Sequence, residues 1–289
     1  MNKKYYKWNA GGKEVLLGKY PKIMGILNVT PDSFSDGGLY NSDKEAVDQA
    51  LRMIDEGADI IDIGGESTRP GSERVSLKDE ISRTINVIKL LREINSDVLI
   101  SIDTSKSMVA KLAMEEGANI VNDVSSYNND KKMIDVIKKY NSGIILMHMQ
   151  GTPKNMQKNP LYKDVVNEVL EFIDKKISLS LEHGIKKGSI AIDPGIGFGK
   201  NLKQNLTLLK SLDKFIQLHP TLVGLSRKSF IGEILKEGDP KKRLAGSLGA
   251  SAFAIMKGAH IIRVHDVKET RQLLDMLNLL QQHGTLSSG

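Results

Sequence analysis

Residues 190–200 read Ile-Ala-Ile-Asp-Pro-Gly-Ile-Gly-Phe-Gly-Lys, an apolar run that stops at Asp193 and opens into a glycine loop. Pro194 cannot extend a central strand, and Gly195, Gly197 and Gly199 admit close approaches that other residues resist, so Asp193 reads as a carboxylate held at a strand tip. Such a carboxylate can accept two parallel hydrogen bonds from a flat heterocycle with adjacent amino and ring N–H donors, such as the 2-aminopyrimidinone edge of a pterin or guanine. The plainer reading is a helix N-cap aspartate in a strand-to-helix turn. Phosphate-loop readings fail. A P-loop needs Ser or Thr after Gly199-Lys200 and glycine in place of Pro194, and a dinucleotide fingerprint needs glycine at Lys200.

Other apolar runs end in groups of similar chemistry. Asn28-Val29-Thr30 leads into 31–38, a turn-rich loop containing Phe34 that can fold over a ligand. Asp62 opens a stretch to Gly71 in which Arg69 can reach an anion. Asp103, Asn122-Asp123, His148 and the run Ser226-Arg227-Lys228-Ser229 end further segments. Arg263 and His265, two apart, share one strand face and can converge on a phosphate group. Each has a plainer reading: Asp103 and Asn122 as turn formers, His148 as a hydrogen-bonded core histidine, Lys228 as a solvated helix-start lysine. Together they are hard to assign to chance. Zinc is a poor fit because His148 and His265 lack a third ligand, whereas Asn28 beside a diphosphate suits Mg2+, a hard ion that shares oxygen ligands with its substrate.

The elements that must hold these groups follow from periodicity. Apolar runs rich in Ile and Val at 23–28, 60–64, 98–103, 120–123, 143–148, 189–193, 221–225 and 260–265 predict strands. Helix-period segments fill the gaps at 43–56, 77–93, 107–116, 131–140, 162–183, 204–218, 241–256 and 270–282, with stop signals at Gly57, Gly117 and Gly258. This alternation in 289 residues predicts an α/β fold, a single-domain (β/α)8 TIM barrel over 19–283, with a short polar N-terminal extension at 1–18 and a flexible tail at 284–289. In such a barrel the C-terminal strand ends face the active site, where these polar groups fall.

There is no cysteine, which excludes disulfides, thiolate catalysis and cysteine-bound metal. No apolar run has the length of a signal peptide or a membrane span, so a soluble cytoplasmic protein with no membrane partner is expected. The net charge is +6. Its lysines come as scattered pairs (Lys138-Lys139, Lys186-Lys187, Lys241-Lys242) without interleaved aromatics, which argues against nucleic acid and suits an anionic small substrate.

In 25–38, 62–71, 101–104, 122–123, 148–157, 193–200, 226–229 and 263–265 the chain resembles dihydropteroate synthases, the pterin-binding barrel enzymes inhibited by sulfonamides. The resemblance implies a transferase of folate biosynthesis. It would condense 6-hydroxymethyl-7,8-dihydropterin diphosphate with 4-aminobenzoate to 7,8-dihydropteroate and diphosphate by a dissociative substitution. Asp103, Asn122, Asp193 and Lys228 would then hold the pterin, with Arg263 stacked on its ring. Asn28 would ligate Mg2+, and Thr68, Arg69, Arg263 and His265 would bind the diphosphate. Phe34, Pro70, Phe198 and Ser229 would border the aminobenzoate, and Asp103, Asp193, Lys228, Arg263 and His265 would carry catalysis. A homodimer is implied as well. Two other readings fit less well: a methyltetrahydrofolate corrinoid-protein methyltransferase leaves the 31–36 and 68–71 loops and the run Ser226-Arg227-Lys228-Ser229 unexplained, and a non-catalytic pterin-binding protein would not need the anion-binding set Asn28, Arg69 and His265.

Overall fold

Strand and helix segments alternate as the periodicity predicts. The computed structural model describes residues 4–18, 20–30, 38–67 and 71–282. A hairpin, β1 (Tyr6–Ala10) and β2 (Lys13–Leu17), precedes eight parallel strands: β3 (Lys22–Asn28), β4 (Ile60–Gly64), β5 (Leu99–Asp103), β6 (Ile120–Asp123), β7 (Gly143–Met147), β8 (Ile190–Asp193), β9 (Leu222–Gly224) and β10 (Ile261–Val264). They are ordered β8-β7-β6-β5-β4-β3-β10-β9, and a parallel bridge between Ile192 and Thr221 joins β8 to β9 and closes the ring. The expected (β/α)8 barrel is what forms.

The helices are α1 (Gly38–Asp55), α2 (Leu77–Ile94), α3 (Ser107–Glu115), α4 (Met133–Tyr140), α5 (Val165–Glu182), α6 (Leu202–Lys210), α7 (Leu212–Ile216), α8 (Ser229–Leu235), α9 (Leu244–Met256) and α10 (Val267–Gln282). Gly57, Gly117 and Gly258 all follow helices in the left-handed region, with φ of 100°, 97° and 99°. Three helical expectations need correction. The periodic run 204–218 breaks at Ser211 into α6 and α7, and α8 is too short for its periodicity to register. Residues 240–242 form a separate 3-10 turn, because the Asp239 side chain accepts from Lys241 N–H, and α9 begins only at Leu244. The loop 31–37 and the tail 284–289 lie outside the described residues.

Strand parity sorts the core into two layers. Outward residues such as Ile61, Ile63, Ile100, Ile102, Val121, Leu146 and Ile262 pack under the helices. One inward apolar residue of each strand (Met24, Ile60, Leu99, Ile120, Ile145, Ala191, Leu222, Ile261) joins Trp8, Ala10, Val15 and Leu17 in a separate apolar cluster. The N-terminal stretch is therefore a hairpin that plugs the barrel floor. Its alternation points Lys7, Glu14 and Leu16 outward and the cluster members inward. Trp8 is fully buried and its indole N–H donates to the Ser189 carbonyl at 3.0 Å. Trp8→Ala should cost about 3–5 kcal/mol in urea-induced unfolding, the usual range for removing a large buried aromatic. Ligand affinity at the opposite end of the barrel should be unchanged.

Candidate functional site

Two residues beyond the apolar floor, the same inward faces turn polar: Asp62, Ser101, Asn122, Asp193 and Arg263 stand where a continuous core would need hydrocarbon. Burying such groups is costly unless they satisfy one another. Here most of them do. The Arg263 guanidinium donates from Nε to Asp62 Oδ2 at 2.6 Å and from Nη2 to Asp103 Oδ2 at 2.7 Å, and Asn122 Nδ2 donates to the same Asp62 oxygen at 3.1 Å. Among the described residues, Asp62 Oδ1 and the Ser101 hydroxyl are buried without hydrogen-bond partners. Burial pushes the Asp103 carboxyl up to about 7; Arg263 opposes the shift and Asp62 adds to it. Burial also works against the Arg263 charge, but Asp62 and Asp103 outweigh it and hold the group above its ordinary value.

Beside this cluster lies the loop after β8. Asp193 Oδ1 accepts from Gly195 N–H at 2.7 Å, closing a tight turn. Asp193 is not a helix cap, because α6 is capped by Asn201, whose side chain accepts from Gln204 N–H while Gln204 reaches back in a capping box. Burial raises the Asp193 pKa, opposed first by Lys228. Lys228 sits at the start of α8, but it is not a solvated lysine. Its ammonium donates to the Ile196 carbonyl and lies 4.4 Å from the centroid of the Phe198 ring. Its stem crosses Gly197 (φ 86°), where an added Cβ would come within 2.7 Å of Lys228 Cδ, so a larger residue would be strained and would displace the stem. Burial lowers Lys228 to about 8, with Asp193 opposing.

The β9 and β10 ends are joined side by side. Ser226 Oγ accepts from His265 N–H at 3.3 Å and lies 3.0 Å from His265 Nδ1. When that hydroxyl donates to Nδ1, the neutral ring carries its proton on Nε2, a donor suited to a phosphate oxygen. Next to it, Arg227 adopts a left-handed conformation (φ 61°) and pairs with Asp266.

Asp103, Asn122, Asp193, Lys228, Phe198, Arg263 and His265 thus stand at the C-terminal mouth of the barrel. Asn28 ends β3, and Ser229 begins α8 with its side chain exposed. Phe34, Thr68, Arg69 and Pro70 lie outside the described residues. His148 has the plainer role, a buried ring bonded to Lys200. Asp62 and Ser226 were read at strand tips but were given no role in the site. Parity could have found Asp62, since it sits two residues beyond inward-facing Ile60. A cavity of about 510 Å³ opens beside Asp103, walled by Glu80, Thr104, Asn128, Met149 and Lys154. Among the described residues no group of three His, Cys, Asp or Glu could hold a metal by itself.

The sequence pattern of the pterin binding enzymes matches residues 24–265. A dihydropteroate synthase of Synechocystis is 47% identical over 264 residues, covering 91% of each chain. The solved Xanthomonas albilineans dihydropteroate synthase with 4-aminobenzoic acid superimposes with a TM-score of 0.89 at 39% identity, over 96% of this chain and 99% of that one. The Yersinia pestis enzyme in complex with a sulfonamide drug gives 0.88 at 42% identity, again over 96% and 99%. Pattern, sequence and fold agree across nearly the whole length, and the chain belongs to the pterin-binding enzymes, within their dihydropteroate synthase family.

Proposed function

We propose that the barrel mouth condenses 6-hydroxymethyl-7,8-dihydropterin diphosphate with 4-aminobenzoate, forming 7,8-dihydropteroate for folate biosynthesis. The observation that supports this most is the convergence of Asp103, Asn122, Asp193, Lys228 and Arg263 at one end of the barrel. Asp193 offers paired acceptors to the amino and ring N–H edge of the pterin, and Asn122 and Asp103 extend that edge. Lys228 supplies a donor to the carbonyl and ring nitrogen. Arg263 lays its guanidinium face on the ring. Thr68, Arg69, Arg263 and His265 take the diphosphate, and Phe34, Pro70, Phe198 and Ser229 border the aminobenzoate. A sulfonamide carrying the same aniline ring competes there.

In this reading the C–O bond breaks first and its electron pair leaves with diphosphate. The electron-rich pterin spreads the resulting cation, the aniline nitrogen attacks the methylene carbon, and that nitrogen then sheds its proton. The protein's part is positional and electrostatic, and no strong general base is needed at the nucleophile. Mg2+ would fit here as a companion of the diphosphate: Asn28, at the end of β3, would be the residue to hold it, a hard oxygen donor suited to an ion that shares its ligands with substrate. Bound there, it would neutralise charge on the leaving group.

Incubation with pterin diphosphate, aminobenzoate and Mg2+ should yield dihydropteroate. Asp193→Asn should weaken calorimetric pterin binding by about 2–4 kcal/mol, because an amide places an N–H against the ligand's donors. An unchanged affinity in the folded variant would remove Asp193 from the site. Pterin affinity should also be bell-shaped in pH. Protonating Asp103 as pH falls through about 7 removes an acceptor that binding must then recover, and deprotonating Lys228 as pH rises through about 8 removes a charged donor. Each limb should steepen towards about tenfold per pH unit. Asp103→Asn should flatten the acid limb alone.

A cytoplasmic location follows from the substrate, since a diphosphate ester does not cross a bilayer unaided. The homodimer finds support on the outer helices. α9 carries no charged side chain from Leu244 to Met256, and Phe253 and Met256 are exposed there beside exposed Met276, Leu279 and Leu280 on α10. A patch of this kind suits an interface between copies. Sedimentation should show a dimer for the native chain and a monomer for the Phe253→Glu, Met276→Glu double variant. A native monomer at micromolar concentration would overturn the assignment.

A further inference from the structure

We propose that Lys200 is a positioning residue, an ammonium that clamps the loop after β8 onto the end of β7 and so holds Asp193 and Phe198 in place for the pterin. The inference rests on the reading of Asp193 as a pterin partner.

Lys200 is only 2% exposed. Its Nζ lies 2.8 Å from the Gly195 carbonyl, 2.9 Å from the Phe198 carbonyl and 3.0 Å from His148 Nδ1, with the His148 carbonyl at 3.4 Å. Every acceptor is neutral. A lysine buried in this way is retained at a cost, since desolvation lowers it to about 7, with Asp193 opposing. An ammonium has only donors, so His148 Nδ1 must accept and its ring must stay neutral. That agrees with the lowering of His148 to about 3, again first by burial. Phe172 holds the ring from the side in an edge contact, with centroids 4.9 Å apart.

The clamp acts where two backbones meet. Gly195 has φ 69°, and a Cβ there would stand 1.8 Å from the His148 carbonyl oxygen, so loop and strand end touch main chain to main chain. Gly195 also donates to Asp193 Oδ1, and Phe198 carries the ring beneath Lys228. One ammonium therefore fixes both ends of the loop: the turn that orients the carboxylate and the residue that presents the aromatic wall.

Lys200→Met keeps the stem and removes the donors. Pterin affinity and KM for pterin diphosphate should worsen about tenfold, the scale of one buried hydrogen-bonding group. Inhibition by inorganic diphosphate with Mg2+ should change by less than about twofold, because its proposed groups lie at the ends of β3 and β10 and after β4, away from the β7–β8 clamp; a general loss of structure would weaken both. If Lys200→Met does not fold, His148→Leu removes one acceptor and should still weaken pterin by about threefold while sparing diphosphate. Pterin affinity within twofold of native, or equal losses for both ligands, would overturn the proposal. Asp193→Asn in parallel separates the failures: if it too leaves pterin binding intact, the site assignment is wrong and the inference falls with it.

Discussion

One guanidinium in the centre of the barrel sets the terms for everything above it. Arg263 stands between Asp62 and Asp103 at the mouth of eight strands, and these largely buried groups are stable there only because their geometry is good. Removing either carboxylate would leave the other to balance Arg263 alone, and removing Arg263 would leave two acids facing one another. The arrangement has a second effect. Two of the three guanidinium nitrogens are committed, so the plane of the group is fixed before any ligand arrives, and orientation of this kind need not be imposed during reaction.

The same strands do opposite work at their two ends. At the floor, inward residues are hydrocarbon and the hairpin around Trp8 seals them. Two residues on, the inward faces carry Asp62, Asn122, Asp193 and Arg263. Stability and chemistry are thereby divided along the barrel axis, which lets the mouth hold unsatisfied atoms such as Asp62 Oδ1 at a cost that the floor and the helix layer offset. The side-chain links Ser226 to His265 and Arg227 to Asp266 lock adjacent strand ends, and Lys200 does the same for β7 and the loop after β8. Rigid strand ends, tied in pairs, position functional groups more closely than free loops can.

The eight barrel strands, the glycines that end three helices and the polar strand tips were legible in the sequence because each depends on neighbours a few positions away: a period of two, a period of 3.6, or one residue able to take a left-handed turn. The motifs around Asp193, Lys228 and Arg263 were legible for the same local reason, and together they carried the family. The hairpin was not, because five-residue strands with Lys and Glu on their outer face offer too short an alternation to separate from a polar extension. Only the tertiary structure chose between readings that local sequence left open: Asn201 caps α6 in place of Asp193, and His148 is a neutral core ring bonded to Lys200. It alone brought Asp62 against Arg263, 201 residues along the chain. Which charges share a buried site is decided by barrel closure, a cooperative contact between distant strands, and no spacing within one strand encodes it.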